Sequence, residues 1–421
     1  MQTPHETRSL KIALLSYRSA PYGGGQGIYV KDISLALESL GHKVDVISAE
    51  PYPLLEGDVN LIKLPGMNLF ETFLFKDRLK KFFKNPKTLV NVFEFLSTLA
   101  GGFPEMYSFG KRANEFLKKN SDYDVVIDNQ SLSYGMLEIQ KRFPFIEIIH
   151  HPITRDLKHD LETSNKFLYR LSRKRWYSFL KMQKKVAPKL RSIITPSKNS
   201  KDDIADDFSC SKKNITVINN GLDTNIFKPY KDIRRKKYRL ITTASADVPL
   251  KGLDYTLAAV ANLKKEFNIE LLVIGKHKEG GHTSRLIKKL NLERSVEFKT
   301  NLTQNDIAKE YAYSSIAVVS SLYEGFGYPV IEAMSCSIPL IAVKTSSIPE
   351  LVGDFAHLID PRDSTLLAKK IKEVFENYDK NLILAENGRN HIKKRFNWEK
   401  ISKQYQDVIY ENIRRQRNAN F

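Results

Sequence analysis

Residues 324–332 read Glu-Gly-Phe-Gly-Tyr-Pro-Val-Ile-Glu, two carboxylates with seven residues between them on either side of a glycine-rich turn. The flanks restrict what this turn belongs to. Residues 315–321 upstream and 338–343 downstream are short apolar runs of strand character, so the turn sits in a strand, loop, helix, strand unit. Such units build parallel sheets and take ligands at the carboxyl ends of their strands. Gly325 and Gly327 let the backbone approach an anion closely, and Pro329 suits a first helical turn, where its missing N–H has no intrahelical partner to lose. The free N–H groups at that helix start point at phosphate. Glu332 is expected in the same first turn, where a carboxylate can accept from both hydroxyls of a ribose, and Glu324 before the turn, in reach of a sugar ring. A glutamate in a first turn also complements the helix dipole, so the motif alone leaves both readings open.

The order of three segments narrows them. With Glu324-Gly-Phe-Gly, Glu332-Ala-Met-Ser-Cys336 and Ile348-Pro-Glu-Leu-Val352 in succession, this stretch resembles the donor-binding half of the family-4 retaining glycosyltransferases. The resemblance implies the α/β GT-B fold, two Rossmann-like domains facing a cleft. It also implies transfer of a hexose from a nucleotide sugar that enters as co-substrate, with UDP favoured over GDP, and neither a cofactor nor a metal.

Length agrees with two domains, since 421 residues exceed the roughly 250 to 300 that one hydrophobic core supports. No apolar run approaches the ~20 residues of a spanning helix, and Met1-Gln-Thr-Pro-His-Glu lacks the order of a signal peptide, so a cytoplasmic location is expected. Cys210 and Cys336, the two cysteines, are too few for a disulfide framework or a thiolate zinc site and are expected to be free thiols.

The formal charge of +19 asks for an anionic partner. Residues 76–87 carry six basic side chains against one acid, with two phenylalanines between them, and residues 158–191 carry eleven against two, including Arg173-Lys-Arg-Trp-Tyr-Ser-Phe-Leu-Lys181. Cations mixed with aromatics suit an anionic membrane surface, each contributing on the order of 1 kcal/mol. A solvated helix face is the plain alternative. Nucleic acid is disfavoured, because no zinc-finger spacing, RNP-like signature or basic zipper accompanies the charge.

Strands are expected at 10–16 and 43–48 with a helix at 29–39 between them, and further strands at 125–127, 145–149 and 192–195. Residues 51–120 show no strand rhythm and are expected to place helices over the acceptor side. The cluster Gly23-Gly-Gly-Gln-Gly27 lacks the third glycine and the tight strand-to-helix turn of a dinucleotide site. It still offers backbone N–H groups to an anion, and the resemblance implies that this loop, through Gly24 and Gly25, approaches the donor phosphates. Asp32, one helical turn on, is expected at the surface. Asp122-Tyr-Asp124 has the look of a metal-binding pair but reads better as a polar turn entering a strand. His150 and His151 follow the 145–149 strand; the resemblance implies that His150 hydrogen-bonds the donor sugar, while His151 and Asp156 are expected to orient the loop or touch the acceptor.

Residues 217–229 resemble the family's passage between domains, and the polar, basic 230–239 is a credible linker. The second domain opens with a strand at 240–244. Lys251 follows it, placed to neutralise a diphosphate leaving group. The family's partner Arg is absent from Ser245-Ala-Asp-Val-Pro249, which leaves Ser245 or Lys276 to share that load, and Gly275 at a strand end can approach base or phosphate. Residues 395–421 carry an amphipathic pattern that the resemblance implies crosses back to the first domain. The expected divisions are 1–222 on the acceptor side, 237–394 for the nucleotide sugar and 395–421 for the crossing helix. The acceptor is expected to be lipid-linked or a glycan at the inner face of the membrane. A dehydrogenase, a sugar-nucleotide epimerase and a non-catalytic basic membrane-binding protein are the competing classes.

Overall fold

The computed structural model describes residues 8–21, 25–72 and 74–419. Two parallel sheets divide the chain. The first holds β1 (Lys11–Ser16), β2 (Lys43–Ser48), β3 (Asn60–Lys63), β4 (Val125–Asn129), β5 (Phe145–Ile148), β6 (Ile193–Thr195) and β7 (Ile215–Val217), in the order β3-β2-β1-β4-β5-β6-β7. The second holds β8 (Arg239–Thr243), β9 (Glu270–Ile274), β10 (Val296–Lys299), β11 (Ile316–Val319), β12 (Leu340–Val343) and β13 (His357–Ile359), in the order β10-β9-β8-β11-β12-β13. The central strands read as near-continuous apolar runs because helices cover both faces of each sheet. Strand order reverses at β1/β4 in one sheet and at β8/β11 in the other, and a parallel α/β sheet opens its ligand crevice at such a point.

The stretch expected to lack strands contains β3, followed by the helices Phe75–Lys84, Leu89–Leu99 and Glu105–Lys119. The first of these buries no residue. Leu89 is 89% exposed, and Phe93 and Leu96 lie exposed on the same face of the second.

The chain passes between the sheets twice. Residues 218–238 lead outward, and the helix Trp398–Ala419 returns, seating Ile401, Tyr405, Ile409 and Ile413 among Ile12, Leu14, Tyr29, Ile33 and Leu37 of the first domain. Tyr29 and Tyr405 share a hydroxyl hydrogen bond of 2.6 Å. The two passages are tied where Leu222 N–H donates to the Phe396 carbonyl at 2.8 Å. Gly221 lies under Trp398, where an added Cβ would come within 2.3 Å of the indole.

Candidate active site

Lys251 and Glu324 reach one another from the loops after β8 and β11, the neighbouring strands at the reversal. Lys251 ends the single 3-10 turn Pro249–Lys251, and Gly252 follows with φ +63°. A Cβ on Gly252 would stand 2.0 Å from the Ser320 carbonyl oxygen, so only glycine lets this loop press onto the end of the β11 segment. The result is a Lys251 Nζ to Glu324 Oε1 contact of 2.7 Å. Glu324 is fixed by its backbone as well: its N–H donates to Ser346 Oγ at 2.8 Å, and its carbonyl accepts from Ser347 Oγ at 2.9 Å.

The next residues close the cleft. The Gly325 carbonyl accepts from Ser197 Oγ at 2.8 Å and Ser200 Oγ at 2.9 Å, both at the start of the first domain's helix Lys198–Phe208. A Cβ on Gly325 would meet the His150 carbonyl oxygen at 2.6 Å and His151 Cβ at 2.9 Å. The close approach that Gly325 permits is therefore to the facing domain's backbone. Phe326 turns inward against Phe396, with ring centroids 5.9 Å apart, and anchors the loop. Gly327, at φ +109°, starts the helix Tyr328–Ser335. Glu350, in the third segment of the motif, accepts from the N–H groups of Lys198 and Asn199 at 3.1 and 3.3 Å and caps the same first-domain helix.

Glu332 is the fifth residue of its helix and stands in the second turn, not the first as its spacing suggested. The helix begins at Tyr328, because Gly327 takes the left-handed conformation that ends the loop, and this rotates the carboxylate inward. It is buried, and Tyr311 Oη donates to it at 3.4 Å. Burial raises its pKa to about 7, against the lowering effect of the Tyr311 hydrogen bond. The dipole explanation for this glutamate thus loses its premise. Tyr311, which no sequence signal marked, bridges Glu332 to Thr243 at the end of β8, 3.1 Å away.

His150 stands at the end of β5 with Nε2 2.8 Å from Asn129 Oδ1, and its ring meets Tyr29 edge-on at 4.6 Å. Burial, with His151 beside it, lowers its pKa to about 3, so the imidazole is neutral. An amide oxygen only accepts, so Nε2 carries the proton and Nδ1 keeps a lone pair for a sugar hydroxyl. Gln130, at φ +62°, accepts from His150 N–H at 2.7 Å and donates to the His151 carbonyl at 3.0 Å. The Gln130 loop rests on Asp128, whose Oδ2 accepts from Ser131 N–H and Oγ at 2.8 and 2.7 Å. Burial and the proximity of Asp128 hold the carboxyl of the fully buried Glu147 well above its ordinary pKa. Burial would push the His151 ring down, but the Asp156 carboxylate 2.9 Å away, with Glu324 also near, holds it above the ordinary value.

Of the remaining expected site residues, Gly25 is brought to the cleft: an added Cβ would lie 3.9 Å from Tyr328 Cδ2. Gly24 lies outside the described residues, as do the first seven residues of the chain. Ser245 is exposed on the loop after β8, and Gly275 crosses it closely, with room for no Cβ beside the Ala244 carbonyl. The Lys276 carbonyl accepts Ala246 N–H at 3.1 Å, which roots its exposed side chain at the same loop. Asp32 is largely buried, and burial raises its pKa to about 7, where a surface position was expected. Asp124 accepts from Lys11 N–H at 2.9 Å and Asp122 pairs with Lys11 Nζ at 2.5 Å, as a polar turn entering β4 does.

Known proteins share this architecture and sequence. The family model Glycosyltransferase Family 4 matches residues 23–226, and Glycosyl transferases group 1 matches residues 227–391. The MMP alpha-(1->4)-mannosyltransferase of Mycolicibacterium hassiacum is 37% identical over 417 residues, covering 96% of this chain and 99% of that protein. Among solved structures, sucrose-phosphate synthase from Thermosynechococcus elongatus superposes with a TM-score of 0.74 at 20% identity, covering 98% and 100% of the two chains. The Anabaena protein HepE in complex with UDP and glucose superposes at 0.69 with 19% identity, covering 95% and 99%. The chain is a glycosyltransferase of the GT-B fold and belongs to family 4, the group 1 glycosyl transferases.

Proposed function

We propose that this enzyme is a retaining, metal-independent hexosyltransferase that moves a sugar from a nucleoside diphosphate to a hydroxyl of a glycan or lipid-linked acceptor at the cytosolic membrane face. The observation that carries the reading is the Lys251–Glu324 pair at the β8/β11 reversal, a cation beside a carboxylate where a parallel sheet takes its ligand. The mannosyltransferase relative favours mannose as the sugar. The UDP-bound neighbours support the uridine donor expected above, although they are related in fold alone.

In this reading residues 237–394 hold the donor and residues 1–222 the acceptor. Glu332 accepts from the ribose hydroxyls, and the neutral His150 accepts a hydroxyl of the sugar at Nδ1. As the bond from the anomeric carbon to the diphosphate oxygen breaks, Lys251 leaves Glu324 to meet the growing phosphate charge. The acceptor oxygen bonds the anomeric carbon on the face that the diphosphate leaves, and its proton passes to a departing phosphate oxygen. Configuration is retained and no metal takes part.

Among the described residues no helix is long and apolar enough to cross a membrane. Phe167 and Leu168, exposed at 75% and 77%, extend from a helix rich in Arg and Lys, as the surface-docking reading requires.

The test incubates the purified enzyme with UDP- and GDP-sugars, GDP-mannose among them, and a mixed oligosaccharide acceptor, with and without EDTA. Mass spectrometry should find one added hexose in both cases, and NMR an α linkage from an α donor. A free isomer without transfer would indicate an epimerase. Loss of transfer in EDTA, restored by magnesium or manganese, would overturn the metal-free mechanism.

A further inference from the structure

The first sheet has its own reversal at β1/β4, and a cavity of about 330 Å³ opens beside it. That volume is at the lower end of the ~300–1,000 Å³ of small-molecule sites. Its position ties it to the reaction. Gly25 and Gly27 of the helix facing Tyr328 form part of its wall, as does Ile153, three residues beyond His150.

Its walls are aromatic. Phe103 is the hub, with ring centroids 5.1 Å from Trp176, 5.6 Å from Phe70, 5.8 Å from Phe179 and 6.4 Å from Tyr17. The charged residue of the lining is Arg18, and its charge is already spent. One guanidinium nitrogen donates to Glu105 at 2.8 Å, another to Glu71 at 2.7 Å, and the plane lies over Phe70 at 4.8 Å. Two carboxylates against one cation repel a phosphate. Tyr177 turns its hydroxyl to Asp160, 3.1 Å away, which leaves its ring to the cavity. The faces of such rings pack against alkyl groups and the C–H faces of sugars.

We infer that this cavity is an acceptor subsite for an apolar substituent, an O-alkyl group or alkyl aglycone, on a neutral sugar. The assignment rests on the transferase reading for its place in the reaction, but its occupancy is readable without turnover. Trp176 is one of two tryptophans in the chain, the other being Trp398. In a Trp398→Phe variant, Trp176 alone reports binding by its fluorescence.

The experiment titrates that full-length variant with methyl, propyl and hexyl hexosides and with hexose 6-phosphate, and repeats the series with Phe70→Ala added. Each methylene that enters the cavity should tighten binding roughly fourfold, the equivalent of ~0.8 kcal/mol. Hexose 6-phosphate should bind at least about tenfold more weakly than the propyl hexoside. Phe70→Ala should flatten the chain-length dependence and leave the affinity for a nucleoside diphosphate unchanged. No fluorescence response to any hexoside, equal affinity along the series, or tighter binding of the phosphate would each overturn the inference. Alkyl-dependent binding in a protein that transfers no sugar would instead overturn the transferase reading and keep the subsite.

Discussion

Lys251 Nζ and Glu324 Oε1 stand 2.7 Å apart and join the loops after two neighbouring strands of the second domain. Each is the other's partner before a donor arrives, so a diphosphate must compete with Glu324 for the lysine. Hydrogen bonds to charged groups contribute about 1.5 to 3 kcal/mol. Glu324→Gln should therefore leave the affinity for a free nucleoside diphosphate unchanged or raise it by about tenfold, while hexosyl transfer falls at least about tenfold. Calorimetry and initial rates on the same preparation separate the two. A parallel fall in both would place Glu324 on the nucleotide instead of the sugar.

Glu332 predicts a pH dependence. Burial raises its pKa to about 7, and only the ionised form accepts from both ribose hydroxyls without donating. Donor affinity should rise between pH 6 and pH 8 and level off above. The stability effect has the opposite sign: a carboxyl whose folded pKa is raised stabilises fully below its unfolded value and loses that contribution as pH climbs to about 7. Glu332→Gln should bind donor weakly at every pH and melt without that decline. A pH-independent affinity in the wild type would remove the ribose role.

Gly325 predicts a steric effect on closure. An alanine there would put Cβ 2.6 Å from the His150 carbonyl oxygen of the facing domain. Overpacking of this kind costs typically 1 to 3 kcal/mol, so the closed state should lose roughly 5- to 150-fold in population. Small-angle scattering should show a larger radius of gyration for Gly325→Ala, with kcat reduced and the melting temperature of the second domain kept. An unchanged radius with full activity would mean that this contact does not hold the cleft shut.

The basic helices make a prediction about surfaces. The helix Phe75–Lys84 buries nothing and carries Lys76, Lys80 and Lys84. The protein should sediment with vesicles rich in anionic lipid and less with neutral ones. Screening acts over roughly 8 Å at physiological ionic strength, so salt near 1 M should release most of it. Replacing the three lysines with glutamate should abolish the preference while leaving transfer to a soluble acceptor intact. Equal partition to both kinds of vesicle would make these faces solvated surface.

Of the central strands, β1, β2, β4, β5, β6, β8, β11 and β12 were legible as apolar runs because helices bury both of their faces, while β9 was marked only by Gly275 after its end. β3, β7, β10 and β13 gave no such signal. They are the four edge strands, three or four residues long, and sequences such as Asn-Leu-Ile-Lys and Val-Glu-Phe-Lys keep polar groups where solvent reaches one side. At the site, Glu324, Lys251 and His150 were legible because chemistry-bearing residues at strand ends stand out. The inward turn of Glu332 depends on where Gly327 starts the helix, a shift of a few residues that spacing does not specify. The role of Gly325 was hidden because its neighbour, His150, lies 175 residues away in the other domain. Tyr311 and Gln130 act through single contacts that no local pattern announces.

The most direct test of the account is hexosyl transfer by Lys251→Ala under saturating donor. A cation facing developing phosphate charge contributes about 3 kcal/mol or more to the transition state, so kcat should fall at least ~100-fold while circular dichroism and melting temperature stay near those of the wild type. A folded Lys251→Ala enzyme that transfers sugar at the wild-type rate would contradict the account.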